Sequence, residues 1–224
     1  MSQHSRYAVY YMPRPSALAT FGAQWLGWDA QAARECVQPE IEGMADLTRG
    51  PQKYGFHGTL KAPFRLAAGC SVEGLREAVA SLAACTAGAR SEGLTLTQLG
   101  RWFALTPTGE GDDIARVAAT CVTALDGFRA LPTEAEMAKR RKGVLNAAQE
   151  AHLQRWGYPY VLDQFRFHLT LTGSAARARA GAIEAAIRAH LPDLPTPFLV
   201  EDICLCGERA DGRFELLERF ALTG

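Results

Sequence analysis

The chain has 224 residues, 48% of them hydrophobic and 21% charged, which suits one globular unit with a substantial core. Lys+Arg and Asp+Glu both number 24, and this balance argues for a small phosphate-bearing ligand over a long nucleic acid, since polyanion contacts draw a basic surplus. No apolar run is long enough for a signal core or a membrane span, and the six scattered cysteines form no C-x-x-C pair, so a cytoplasmic chain with free thiols and no membrane contact is expected.

RYAVYYMP, residues 6–13, is β-branched and aromatic up to Pro13 and reads as a strand. Residues 16–28 place Leu18, Phe21, Trp25 and Trp28 on one helical face behind a Ser16 cap. A helix over 38–48 is expected to stop before Gly50-Pro51. Residues 54–66 read as a strand bent at Pro63, and 71–88 as an amphipathic helix from Ser71. Two short strands turning near Gly100 follow over 94–107.

The order then begins again. A helix is predicted over 112–128 and a long one over 134–155, which carries the run Lys139, Arg140, Arg141 and Lys142. A strand over 164–173, an Ala-rich helix over 175–191 and a hairpin over 198–222 with its turn at Asp211-Gly212 complete the chain. Each half supplies a strand, a helix and a hairpin. The expectation is one α+β domain with an internal duplication, over about 6–107 and 112–222, folded as two lobes about a cleft.

The two motif strands align as Tyr54-Gly55-Phe56-His57-Gly58-Thr59-Leu60 and Phe165-Arg166-Phe167-His168-Leu169-Thr170-Leu171. Alternation puts His57 with Thr59, and His168 with Thr170, on one face; the apolar residues take the other. Across a cleft, such fronts bring two imidazoles and two hydroxyls around one pocket. One imidazole can take a proton from water and the other can give one to a departing alkoxide. The hydroxyls can hold the non-bridging phosphate oxygens. A lone strand histidine is more often structural, but core packing does not require the same His and Thr twice on a polar face. Zinc catalysis would ask for three ligands at H-x-x-x-H or H-x-H spacing, and neither occurs. His4, His152 and His190 read as surface residues, and no cofactor is expected.

With its two H-x-T-L motifs, the chain resembles the 2H phosphoesterase superfamily, which includes bacterial RNA 2′,3′-cyclic phosphodiesterase/ligases and eukaryotic cyclic phosphodiesterases. RYAVYYMP, KYGFHGTLKAPFRL and FRFHLTLTG are similar to a bacterial branch associated with phosphonate utilisation. The resemblance implies lobes of antiparallel sheet with helices outside, His57 and His168 as the catalytic pair, and Thr59 and Thr170 as phosphate ligands. It also implies a cyclic phosphate substrate. Gly58 stands where a larger residue is common.

Lys61, four residues after His57, shares its face if the strand stays regular; it either stabilises phosphate charge or sits at the rim. Lys53 and Arg166, at even offsets before their histidines, are expected toward the cleft. Tyr7, Tyr10 and Tyr11 read as sheet packing, with stacking on a base or ribose as the alternative. The run from Lys139 to Lys142 reads as a solvated helix face. The expected function is metal-independent opening of a small ribose or nucleoside cyclic phosphodiester. RNA-end processing and a non-catalytic module for a phosphorylated ligand are the alternatives.

Overall fold

The structure, a computed structural model, describes residues 4–141 and 143–224. In chain order it contains β1 (Tyr7–Tyr11), α1 (Ala17–Leu26), β2 (Trp28–Asp29), β3 (Arg34–Glu35), α2 (Met44–Gln52) and β4 (Gly58–Phe64). Then come α3 (Val72–Ala84), β5 (Ala89–Ser91), β6 (Gly93–Leu99), β7 (Trp102–Thr108), α4 (Asp112–Ala124), α5 (Glu134–Arg140) and α6 (Ala147–Trp156). The chain ends with β8 (Leu169–Thr170), α7 (Ala180–His190), β9 (Phe198–Val200), β10 (Asp202–Glu208) and β11 (Phe214–Ala221). Among the described residues no helix is long and apolar enough to cross a membrane.

The α+β class and the antiparallel strands agree with expectation. Seven strands form one sheet in the order β11-β10-β1-β4-β8-β7-β6, with every neighbour antiparallel. Its two flanks meet at β4 and β8, where Gly58 pairs with Leu169. The flanks do not follow the halves of the sequence. The hairpin β6–β7 lies beside β8, and the hairpin β10–β11 lies beside β1. Each motif strand thus gains its outer ladder from elements distant in the chain, which covers edges that would otherwise expose unpaired backbone groups.

One face of the sheet sends Tyr7, Val9, Leu60, Leu105, Leu169 and Leu205 into the main core with residues of α1, α3, α4 and α7. The other face of β1 and β10 carries Ala8, Tyr10, Met12, Cys204 and Cys206 into a smaller cluster with Trp28 and Phe214. Period-two alternation on β1 explains the partition.

Several elements differ from expectation. The helix expected over 38–48 starts at Met44 and runs through Gly50-Pro51. Pro51 has no N–H for the carbonyl of Leu47, and Gly173 N–H donates to that carbonyl instead, at 2.7 Å. The single long helix over 134–155 is two helices, each opened by its own capping box, at Thr133 and Asn146. Lys139 and Arg140 end α5, Arg141 is its cap, and Lys142 lies outside the described residues. The motif strands are shorter than expected: both begin one residue after their histidines.

Candidate active site

The junction of β4 and β8 assembles the site. Antiparallel pairing of Gly58 with Leu169 sets His57 opposite Thr170 and Thr59 opposite His168. Directly opposed side chains in such a pair start about 5 Å apart. The apolar partners point the other way as expected: Phe56, Leu60, Phe167, Leu169 and Leu171 are all buried in the main core. Gly58 permits the join, because a Cβ there would stand 2.3 Å from the Phe167 ring.

Both imidazoles are held in the same manner. Nδ1 of His57 donates to the carbonyl of Gly55 at 2.9 Å, and Nδ1 of His168 donates to the carbonyl of Arg166 at 2.7 Å. A carbonyl only accepts, so the neutral rings carry their protons on Nδ1 and keep the lone pair on Nε2. The Thr59 hydroxyl lies 3.0 Å from Nε2 of His57 and donates to it. Gly55 aims its carbonyl from φ 70°, where a Cβ would meet that of Ala30 at 2.5 Å. The Tyr10 ring lies against His57 with centroids 3.9 Å apart, and the edge of Trp102 meets His168 at 5.0 Å.

Burial pulls His57 down to about 4, against the opposing pull of the Gly55 carbonyl. Positive charge on His168 adds to the depression. Burial also lowers His168, opposed by the Arg166 carbonyl, and the shift at His57 is the larger. Tyr10 is fully buried, its phenol is pushed well up by burial, and its hydroxyl has no hydrogen-bond partner among the described residues. Also among the described residues, no three His, Cys, Asp or Glu side chains stand together as a metal site.

The structure therefore brings His57, Thr59, His168 and Thr170 together. It does not bring Lys61 with them. The pairing of β1 with β4 shifts register between Val9 and Tyr10, so that Tyr10 pairs with Thr59 but Val9 pairs with Lys61. The bulge turns Lys61 toward the core face. There Nζ donates to the Val122 carbonyl at the end of α4, at 3.0 Å, and lies 3.9 Å from Asp126. Lys53 is the cap of α2, outside the strand, and its ammonium sits 5.3 Å from the centroid of the Tyr54 ring. The Arg166 side chain is exposed and turns back onto the carbonyls of Asp163 and Phe165, while its own carbonyl orients His168.

Sequence reasoning singled out neither Gly55 nor Trp102, and it counted Tyr10 among sheet-packing residues. Tyr7 and Tyr11 pack in the main core and Tyr10 in the smaller cluster, where its ring also lies against His57. The signal for Tyr10 is its pairing with Thr59, which only the sheet reveals.

Fold and paired motif together define an α+β protein resembling the 2H phosphoesterases. Residues 59–215 match the family described as "Protein of unknown function (DUF1045)", and the chain belongs to it. It is 40% identical over 185 residues to ribose 1,5-bisphosphate phosphokinase PhnN of Janthinobacterium sp. (strain Marseille), covering 80% of this chain and 41% of that protein. The protein of the same name from Laribacter hongkongensis (strain HLHK9) is 39% identical over 173 residues, covering 75% of this chain and 40% of that one. The chain thus spans about two fifths of the length of these curated relatives. Among solved structures, E. coli LigT complexed with 3′-AMP is similar at TM-score 0.45 and 18% identity over 100% of both chains. TT0787 of Thermus thermophilus is similar at TM-score 0.47 and 17% identity over 98% of both.

Proposed function

We propose that the chain is a phosphoesterase that opens a cyclic phosphodiester on a ribose. The observation that carries this reading is the register at the β4–β8 junction, which sets each histidine across from the other motif's threonine. Nε2 of His57 takes a proton from water, the water oxygen bonds to phosphorus, and the bond from phosphorus to one ribose oxygen breaks. Protonated His168 gives its proton to that oxygen. The product is a phosphate monoester beside a free hydroxyl. His57 takes the basic role because its imidazolium is the more strongly disfavoured. Thr59 and Thr170 donate to the non-bridging oxygens, and Thr59 leaves Nε2 of His57 to do so.

The substrate class has two supports. Zero net charge suits a small ligand better than a long RNA. The named relatives are kinases of ribose 1,5-bisphosphate and are much longer than this chain. Gly50-Pro51-Gln52-Lys53-Tyr54-Gly55 is followed by Phe56-His57, so the spacing of a phosphate-binding P-loop here lacks its Lys and Ser/Thr. We therefore assign the kinase name to the rest of those relatives. The part that corresponds to this chain handles a ribose phosphate in the same phosphonate-linked chemistry. The test is turnover of 2′,3′-cyclic AMP and of ribosyl cyclic phosphates in the presence of EDTA. Activity lost in both His57→Ala and His168→Ala supports the reading; activity surviving in both refutes it.

A further inference from the structure

Walled in part by Tyr54, the neighbour of His57, lies a cavity of about 120 Å³ that the mechanism above does not use. Its walls include Arg6, Tyr54, Arg65, Arg129, Lys139 and Arg140, five cations against one carboxylate, Glu136. That carboxylate is already answered: Arg65 donates to it at 3.0 Å, and Thr133 N–H at 2.7 Å. Arg6 is held by Glu208 and Arg129 by Asp126, so these two are fixed in place before any ligand arrives. Among the described residues Lys139 and Arg140 have no carboxylate partner, and the Arg140 guanidinium rests on the Tyr158 ring at 4.6 Å. The cavity therefore holds uncommitted positive charge within a rigid basic wall.

Its position ties it to His57. Tyr54 forms part of the cavity wall, and its ring centroid is 6.0 Å from that of His57. The run from Lys139 onward, unremarkable as a helix face in the sequence, ends α5 at this opening.

We propose that this cavity is a second anion subsite, in which Lys139 and Arg140 bind a phosphate monoester carried by the same substrate whose cyclic diester lies between His57 and His168. The proposal rests on the hydrolase reading above and narrows its substrate class to a doubly phosphorylated pentose. The volume takes one phosphate group, and a guanidinium fork suits two of its oxygens.

Ribose 5-phosphate has the monoester but no cyclic diester, so titration calorimetry with it reads the cavity without turnover. The expected result is saturable binding by the wild-type chain, weakened at least tenfold in the Lys139→Ala/Arg140→Ala double variant. No binding by wild type, or equal binding by both proteins, overturns the proposal. Both substitutions lie at the exposed end of a short helix, and a thermal melt verifies that the variant is folded. In turnover, the double variant should lose at least tenfold more kcat/KM on a 5′-phosphorylated nucleoside 2′,3′-cyclic phosphate than on the compound lacking the 5′-phosphate; equal losses overturn the proposal. Failure of wild type to turn over any cyclic phosphate refutes the hydrolase reading, and the titration still reports on the cavity by itself.

Discussion

His57 and His168 share a small device: an Nδ1–H donated to the carbonyl two residues upstream, which leaves the Nε2 lone pair available in both. Removing either ring should lower kcat by about 10²–10⁴-fold, the range for loss of a general acid or base; steady-state assays of His57→Ala and His168→Ala measure it. The lowered pKa values have a directional consequence for rate. The proposed reaction asks for one imidazole protonated and one neutral in the free protein, and burial pulls both below the ordinary value of 6.5. The optimum of kcat/KM is therefore expected below pH 6.5. A bound phosphate anion favours the imidazolium, so the optimum of kcat should lie higher than that of kcat/KM. A pH series with both parameters resolved checks this order. The four His and Thr residues were legible in sequence because a doubled polar face needs no partner to be seen. Gly55, Tyr10 and Trp102 were not, because their roles depend on which atoms stand beside the rings.

At the scale of elements, the β4–β8 junction and the bulge in β4 decide the composition of the site. Gly58→Ala would drive a methyl into the Phe167 ring, costing about 1–3 kcal/mol by overpacking. Because the same contact sets the register of both histidines, activity should fall well beyond the fraction of protein unfolded; denaturant melts paired with kcat separate the two effects. Lys61→Met tests the bulge. If Lys61 serves the end of α4, the variant loses about 1–3 kcal/mol through the orphaned Val122 carbonyl. Its kcat/KM should stay within a few-fold of wild type. Alternation counted along β4 placed Lys61 at the cleft, and that count fails at one inserted residue, which no local pattern in GTLKAPF announces. The division of the 134–155 helix was closer to the surface of the sequence, since Thr133 with Glu136 and Asn146 with Gln149 are capping pairs.

The molecule is built on a seven-stranded sheet whose flanks exchange hairpins, and Tyr54 both walls the basic cavity and stands next to His57. Folding keeps His57 neutral to about pH 4, whereas an unfolded histidine protonates near 6.5. The unfolded chain thus binds more protons across that window. This contribution to stability is complete above pH 6.5 and is lost as pH falls toward 4. Thermal melts from pH 7 to 4.5 should show a falling Tm, with a shallower fall in His57→Gln. Sequence by itself determined the residues of the doubled motif, the faces they share, the α+β class and the positions of most strands and helices. These follow from short-range periodicity and capping, which act within a few residues. Tertiary structure alone decided that His57 stands across from Thr170, that Tyr10 covers an imidazole, that Lys61 turns to the core and that Lys139 and Arg140 line a cavity with Tyr54. Each of those outcomes depends on strand register and packing between residues far apart in the chain, where the free energy belongs to the pair and neither segment alone encodes it.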